Sequence, residues 1–195
     1  MSIRKLLARS ASSMSTWGLR HIARRPAANM PGKIALKLDP QIIAESMGKV
    51  TEGSIVVVGT NGKTTITNMI ADALERQGKT VACNRTGANL AYGVATTLLQ
   101  TKGSVEWGVF ESDELWLAHT LPQVQASYVL LLNLFRDQLD RCGEIDRVQD
   151  AIVQALSESP DTVLLYNADD PLCAMVALRV PNKSVAFGVG EDLHQ

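Results

Sequence analysis

The chain has 195 residues, of which 46% are hydrophobic and 20% are charged, and its formal net charge is −1. These proportions are typical of a soluble globular protein with one domain and a short extension. The near-neutral charge does not indicate a nucleic-acid-binding protein. No apolar run approaches the roughly 20 residues of a membrane-spanning helix, and we expect a cytoplasmic protein. Three widely spaced cysteines, Cys83, Cys142 and Cys173, predict neither a disulfide framework nor a complete zinc site within this chain.

The N-terminal stretch is strongly basic. Residues 1–38 contain eight Lys or Arg and no Asp or Glu, whereas the rest of the chain has 11 basic and 20 acidic residues. We predict a helical arm that ends near Arg25 and is followed by a linker, so that the domain proper covers residues 39–195. Three interpretations of the arm are open: a solvated helix packed on the domain, a basic segment in peripheral contact with a membrane, or an organelle transit peptide.

From residue 39 onward, predicted strands alternate with predicted helices. After a short helix at 40–48, the helices fall at 64–77, 90–100, 146–157 and 171–178, and the strands fall at 54–58, 80–83, 106–110, 127–132, 162–166 and 184–187. Such alternation is typical of an α/β fold with a doubly wound, mostly parallel sheet and helices on both faces. Ligands of these sheets bind at the carboxyl ends of the strands, so polar residues that follow a strand are the candidates for a site.

The strongest functional signal is a glycine- and threonine-rich loop between the first of these strands and the helix at 64–77. Its residues are Gly59, Thr60, Asn61, Gly62, Lys63, Thr64 and Thr65. Glycines let the backbone turn tightly and aim N–H groups at phosphate oxygens, and the start of a helix adds partial positive charge. The lysine would bind the terminal phosphates, and the threonine after it would offer a hydroxyl to Mg²⁺. Val57 stands where the strict P-loop pattern has glycine, yet this shorter form still predicts a site for ATP and Mg²⁺.

Acidic residues follow the strand predicted at 106–110. Glu111 comes directly after it and is predicted to bind Mg²⁺, because this hard cation prefers oxygen ligands. For Asp113, capping of the next helix is an equally good interpretation.

Polar residues follow two later strands as well. Asn133, Arg136 and Asp137 come after the strand at 127–132, and a functional cluster and a charge network at a helix start are comparable interpretations of this stretch. Asn167 and Asp169 come after the strand at 162–166. They would bind the base or ribose of a nucleotide. The alternative is a purely structural segment, in which Asp170 and Pro171 form the capped start of the next helix.

Together these segments resemble the ATP-binding central domain of the Mur ligase family, which has a P-loop NTPase-like fold. The resemblance runs from about Pro31 to Gly190, and its most specific part is the stretch 133–144. Within the family, the sequence is similar to the branch that supplies the ligase subunit of lipid II isoglutaminyl synthases. Other Mur ligases carry histidine where this chain has Gln138.

The resemblance implies an enzyme of peptidoglycan biosynthesis. In this branch, ATP phosphorylates the α-carboxylate of D-glutamate in the stem peptide of lipid II, and ammonia attacks the resulting acyl phosphate to form an amide. A partner glutaminase subunit (GatD-like) releases the ammonia from glutamine and forms a heterodimer with the ligase subunit. A lipid-linked substrate would bring the cytoplasmic enzyme to the inner face of the membrane.

The resemblance also implies roles for individual residues. Those assigned to catalysis are Lys63 at the β- and γ-phosphates, Glu111 and Asp137. Those assigned to Mg²⁺ are Thr64 and Glu111, and those assigned to adenosine are Asn167 and Asp169. Those assigned to the phosphoryl-transfer and substrate side are Asn89, Asn133, Arg136 and Asp137.

Two features of the branch are expected outside this sequence. Its members carry a four-cysteine zinc ribbon and a C-terminal domain that closes over ATP, and this chain ends at Gln195, about where the ribbon would begin. We therefore expect an incomplete central domain that lacks the Zn²⁺ ligands, binds nucleotide weakly and is inactive alone. The alternatives are another acid–amino acid ligase, such as a folylpolyglutamate synthase, and a catalytically incomplete nucleotide-binding fragment.

Overall fold

The computed structural model describes residues 7, 10, 12, 29–135 and 144–189, so most of the predicted basic arm lies outside the described residues. The helices are α1 (Met30–Leu38), α2 (Ile42–Met47), α3 (Lys63–Arg76), α4 (Ala91–Gln100), α5 (Leu117–Val124), α6 (Glu144–Ser157) and α7 (Pro171–Arg179), with a 3₁₀ helix at Glu114–Trp116. The strands are β1 (Val50–Val58), β2 (Val81–Cys83), β3 (Val105–Glu111), β4 (Tyr128–Leu131), β5 (Val163–Asn167) and β6 (Ser184–Phe187). Among these described helices, none has the length and hydropathy needed to cross a bilayer.

The strands form one parallel sheet in the order β2-β3-β1-β4-β5-β6. The predicted doubly wound α/β architecture with helices on both faces is confirmed. The chain leaves β1 towards one edge of the sheet and then crosses from β3 to β4, on the other side of β1. This reversal creates a topological switch point at the carboxyl end of β1, which is where such sheets bind ligands.

Apolar side chains fill both faces of the sheet around β1. Val56, Val57 and Val58 are fully buried, as expected for a continuous β-branched run. Val56 and Val58 belong to the main hydrophobic cluster with α4 to α7. Val57 points to the opposite face because side chains alternate along a strand, and α3 contacts β1 and β3 there. Burial on both faces holds the position of the strand end from which the next loop starts.

β1 begins at Val50, four residues before the predicted start. Glu52 and Gly53 precede the predicted strand, but both residues lie within the observed one. Nε1 of Trp107 donates to Oε2 of Glu52 at 2.8 Å, and Nζ of Lys79 donates to Oε1 of Glu52 at 2.7 Å. These neighbours satisfy the carboxylate, and a register shift between Val50 and Gly53 accommodates the glycine in the pairing with β3.

α1 lies where the sequence predicts a linker, so that prediction is wrong over these residues. Pro31 lies in the first turn, where proline is tolerated, and the N–H of Gly32 donates to Oγ1 of Thr96 in α4 at 2.8 Å. Pro31, Gly32 and Ala35 are buried. A Pro-Gly pair looks like a turn in the sequence, and it is the packing on α4 that makes this segment helical. The domain boundary at residue 38 stays a prediction.

α5 is a helix that the sequence did not predict. Pro122 lies inside this helix and lowers its intrinsic helix propensity. The buried residues Leu117, Thr120, Leu121 and Val124 follow helical spacing, and α5 packs against α6. Tertiary packing therefore stabilises a helix that local propensity does not favour.

We expect Gly32→Ala to destabilise the protein. A Cβ at this position would lie 1.9 Å from the carbonyl oxygen of Tyr92 and 2.7 Å from Oγ1 of Thr96, so α1 and α4 would have to separate. Overpacking of this kind lowers the free energy of unfolding by about 1–3 kcal/mol, which chemical denaturation can measure. The control is Gly48→Ala, whose Cβ would have its nearest neighbour at 3.6 Å. Equal stability of the two variants would contradict the packing of α1 on α4.

Candidate functional site

Three strand ends meet at the switch point. In the register of the sheet, Val57 of β1 pairs with Glu111 of β3, and Val58 pairs with Leu131 of β4. Three segments therefore lie together at the carboxyl end of the sheet: the loop after β1, the end of β3 and Asn133 after β4. The structure brings these predicted site residues together.

Two glycines shape the loop that follows β1. Gly59 has φ +143° and Gly62 has φ +84°, in a region that residues with a Cβ rarely adopt. A Cβ on Gly59 would also lie 3.0 Å from Cβ of Leu132 and 3.1 Å from the backbone of Asn133. Glycine at position 59 thus lets the loop approach the segment after β4, and glycine at position 62 turns the chain into α3.

The N-terminus of α3 is open to an anion. Gly62 occupies its N-cap position, and no side-chain hydrogen bond caps the helix among the described residues. The first helical bond runs from the N–H of Ile66 to the carbonyl of Gly62 at 3.0 Å, so the N–H groups of Lys63, Thr64 and Thr65 precede the helical bonding pattern. Aligned peptide dipoles give this end partial positive charge, so the geometry is that of a phosphate-binding helix start.

The side chain of Lys63 folds back over the loop. Its Nζ donates to the carbonyl of Gly59, to the carbonyl of Thr60 at 3.4 Å and to Oε1 of Glu114 at 3.1 Å. An ammonium group has three N–H donors, and these three acceptors engage them all. The charge of Lys63 therefore lies at the loop, and its role at the terminal phosphates stays a prediction.

Asn133 holds the loop in place. Its Oδ1 accepts from the N–H of Asn61 at 2.9 Å, and its Nδ2 donates to the carbonyl of Asn61 at 3.0 Å. The carbonyl of Asn133 accepts from the N–H of Thr60 at 2.9 Å, and the N–H of Phe135 donates to Oγ1 of Thr60 at 3.0 Å. The structure thus places Asn133 beside the phosphate loop, and its substrate-side role stays a prediction.

Glu111 is buried although it carries a carboxylate. It is 1% exposed, and its Oε2 has no hydrogen-bond partner among the described residues. A buried carboxylate oxygen without a partner is unfavourable, so the arrangement fits a bound cation. A Cβ on Gly87 would lie 3.3 Å from Oγ1 of Thr64 and 3.8 Å from Oε1 of Glu111. The glycine therefore leaves a small space that both predicted Mg²⁺ ligands border.

A cation in this space would need ligands from a second molecule. Within the described ranges, no group of three or more His, Cys, Asp and Glu side chains could hold a metal ion. Mg²⁺ commonly takes one or two protein oxygens and completes its shell with phosphate oxygens and water. The hydroxyl of Thr64 and the carboxylate of Glu111 therefore fit Mg²⁺ that enters together with phosphate.

Asn84 orients Glu111, a role that the sequence analysis did not assign. Its Oδ1 accepts from the N–H of Glu111 at 2.9 Å, and its Nδ2 donates to the carbonyl of Glu111 at 3.1 Å and to that of Ala88 at 2.8 Å. Asn84 is 3% exposed and follows β2 directly. The side-chain amide thus continues the pairing of β3 beyond the end of β2 and fixes the turn that contains Gly87.

Asn167 and Asp169 form a second group near the end of β5. Nδ2 of Asn167 donates to the carbonyl of Leu132 at 3.0 Å, and its Oδ1 accepts from the N–H of Asp169 at 3.0 Å. Oδ2 of Asp169 accepts from the N–H of Val189 at 2.7 Å. Asn167 therefore links β5 to the segment that carries Asn133, while the assignment of both residues to adenosine stays a prediction.

Asp170 connects the start of α7 to the same segment. Its Oδ1 accepts from the N–H groups of Leu172 at 2.8 Å and Cys173 at 3.3 Å, which confirms the predicted capped helix start. Its Oδ2 accepts from the N–H of Leu134 at 2.7 Å. One buried carboxylate thus fixes both α7 and the chain that leaves β4.

The remaining predicted site residues have different outcomes. Asn89 lies between the turn and the acidic segment: its N–H donates to the carbonyl of Gly87 at 3.0 Å, and its carbonyl accepts from the N–H of Asp113 at 2.8 Å. The side chain of Asp113 caps the 3₁₀ helix, in agreement with the capping interpretation. Arg136 and Asp137 lie outside the described residues, and their roles stay predictions.

Two cysteines behave as small hydrophobic residues. Burial raises the pKa of the Cys83 thiol to about 11 and that of the Cys173 thiol to about 12. Both thiols are therefore protonated at neutral pH and are weak nucleophiles and poor metal ligands.

Glu114, like Asn84, was not assigned a role from the sequence. It stands at the end of the acidic stretch, but nothing in the linear order brings it to Lys63, which lies 51 residues earlier. For Asn84, a polar amide directly after a strand is a usable signal, because side chains at strand ends face the site edge of a parallel sheet.

Comparisons with known proteins agree with this geometry. The Mur ligase middle-domain family matches residues 57–194. The chain is 35% identical over 191 residues to the lipid II isoglutaminyl synthase (glutamine-hydrolyzing) subunit MurT of Streptococcus pneumoniae, an alignment that covers 96% of this chain and 41% of that protein. The chain thus spans about two fifths of the length of this curated relative.

Two solved structures share the fold. MurF from Acinetobacter baumannii superposes with a TM-score of 0.68 at 22% identity, over 82% of this chain and 35% of that one. MurF from Thermotoga maritima in complex with ADP superposes with a TM-score of 0.66 at 21% identity, over 83% of this chain and 37% of that one. At these identities the likeness concerns the fold alone.

We expect Asn84→Ala to destabilise the protein through the site. The substitution leaves the buried N–H of Glu111 and the carbonyl of Ala88 without their partner, and each such group costs about 1–3 kcal/mol. Chemical denaturation measures the loss. Asn68→Ala is the matched control, since Nδ2 of Asn68 makes a longer bond of 3.3 Å to an exposed carbonyl. A variant at position 84 as stable as this control would contradict the assigned hydrogen bonds.

Proposed function

Since this chain belongs to the Mur ligase family, we propose that it binds ATP with Mg²⁺ as part of an ATP-dependent carboxylate–amine ligase. One arrangement carries the proposal. Among the described residues, no side chain caps the start of α3, and Oε2 of Glu111 is buried without a hydrogen-bond partner. Oγ1 of Thr64 and Oε1 of Glu111 border the same small space at Gly87. Free amides attract phosphate, and a lone buried carboxylate attracts a cation, so a magnesium nucleotide satisfies both at once.

We infer further that this chain belongs to the ligase subunit of a lipid II isoglutaminyl synthase. The similarity to the MurT subunit over 96% of this chain supports this assignment. The reaction would activate the α-carboxylate of D-glutamate in the lipid II stem peptide as an acyl phosphate, which ammonia converts to an amide. The relative's name describes a glutamine-hydrolyzing synthase with subunits, which supports a glutaminase partner as the source of ammonia.

The residues of this chain would act by positioning and by neutralising charge. A carboxylate forms no amide at neutral pH without a leaving group, and phosphoryl transfer supplies one mainly through alignment and electrostatic stabilisation. Lys63 and the amides at the start of α3 would hold the β- and γ-phosphates. Thr64 and Glu111 would hold Mg²⁺, which neutralises phosphate charge. Asn133 would keep the loop in the geometry that these contacts need.

The other assigned residues would surround this centre. Asn89, Arg136 and Asp137 would face the phosphoryl-transfer and substrate side, and Asn167 and Asp169 would face adenosine. The lipid-linked substrate would bring the protein into peripheral contact with the inner face of the membrane.

We expect Lys63→Ala to weaken binding of Mg-ATP. The variant loses a charge-assisted hydrogen bond to phosphate, which is worth about 1.5–3 kcal/mol or roughly 10- to 100-fold in affinity. Isothermal titration calorimetry with the 195-residue chain measures the change. Lys102→Ala removes the same charge from an exposed position and should leave the affinity unchanged. An unaltered affinity in the variant at position 63 would remove this loop from the nucleotide site.

We expect Glu111→Gln to reduce the dependence of ATP binding on Mg²⁺. The amide keeps the size of the side chain but is a much weaker ligand for a hard cation. The measurement is the ATP affinity with Mg²⁺ and with excess EDTA. The gain on adding Mg²⁺ should shrink in this variant and persist in Glu158→Gln, which changes an exposed glutamate. An identical gain in both variants would show that Glu111 is not a metal ligand.

A further inference from the structure

We propose that Glu114 is a positioning residue that competes with a phosphate oxygen for Lys63, so that a nucleotide must displace its carboxylate. The inference rests on the proposed binding of nucleotide at the loop after β1. The carboxylate of Glu114 therefore weakens the binding of nucleotide at this loop.

The contact between the two residues is close and shielded from water. Oε1 of Glu114 lies 3.1 Å from Nζ of Lys63, and the two side chains are 13% and 14% exposed. Charges interact more strongly where water is scarce, so this pair differs from a surface salt bridge, which contributes little.

Glu114 is the exchangeable partner of Lys63. The other two acceptors are the carbonyls of Gly59 and Thr60, which belong to the same loop as the lysine and stay beside it. Because the ammonium group has three N–H donors and all are engaged, an incoming phosphate oxygen has to replace one acceptor. The carboxylate comes from a different segment of the chain, and it repels a second anion on the same ammonium group. Phosphate and Glu114 therefore compete.

Displacement of Glu114 from Lys63 would change the surroundings of the nearby Trp116. Glu114 begins the 3₁₀ helix that ends at Trp116, two residues further on. Trp116 is 37% exposed, and the centroid of its ring lies 6.2 Å from that of Tyr92 and 5.4 Å from that of His119. A change in the position of Glu114 alters these ring contacts, so tryptophan fluorescence reports on the exchange.

The test compares Mg-ATP binding to the 195-residue chain and to its Glu114→Gln variant, by calorimetry and by tryptophan fluorescence. Glu114→Gln should bind about 10-fold more tightly, since it removes a competing charged partner from Lys63. The tryptophan fluorescence of Glu114→Gln without nucleotide should match that of the unsubstituted chain with nucleotide bound. Trp116→Phe should abolish the fluorescence change on adding nucleotide. The control is Asp161→Asn, which makes the same change in net charge. Asp161 lies just before β5, at the amino end of the parallel strands, whereas the site lies at their carboxyl end.

Glu114→Ala provides a second variant in case the amide at this position disturbs folding, and it should shift the affinity in the same direction. If the parent chain binds Mg-ATP but the variants at position 114 bind equally or more weakly, the inference about Glu114 is overturned and the proposed function stands. If the parent chain itself does not bind Mg-ATP, the proposed function fails, and the inference fails with it. If Asp161→Asn also binds Mg-ATP more tightly, the loss of one negative charge anywhere in the chain explains the gain in affinity. That result would also overturn the role of Glu114.

Discussion

The parallel pairing of β1 with β3 on one side and β4 on the other is the constraint on which the site depends. Three strand ends reach the same edge of the sheet because the chain reverses direction across β1. Buried valines on both faces hold β1 in register, so the loop after it starts from a fixed point. A site built from three separate segments needs such a fixed frame, since hydrogen bonds of about 3 Å tolerate little displacement.

The site contains two regions of opposite electrostatic character. On one side, the open start of α3 and Lys63 create positive potential. On the other side, the buried carboxylate of Glu111 creates negative potential next to Gly87. A ligand with phosphate oxygens on one end and a bound divalent cation complements both regions. Without such a ligand, Glu114 partly balances the positive side, whereas Oε2 of Glu111 has no hydrogen-bond partner among the described residues.

The sequence was sufficient for the repeating pattern and for the local features of the site. Uninterrupted β-branched residues located β1, and the loop at Gly59–Thr65 could be assigned because its glycines, lysine and threonines are contiguous. It was insufficient where tertiary contacts decide. Pro31 and Gly32 look like a turn but form a helix against α4, and the contact of Glu114 with Lys63 spans 51 residues. Local propensity contains no information about such pairs.

The pair of amides that joins Asn133 to Asn61 carries no net charge, and this has a consequence for the conditions under which the loop keeps its shape. Neither amide titrates, so a change of pH leaves the charge of both partners unaltered, and dissolved ions hardly screen the two hydrogen bonds. Had an arginine or an aspartate done the same work, its charge would have attracted or repelled the triphosphate on its own account. The architecture therefore holds this part of the loop through neutral groups, whereas the positive charge that attracts a phosphate comes from Lys63 and the start of α3.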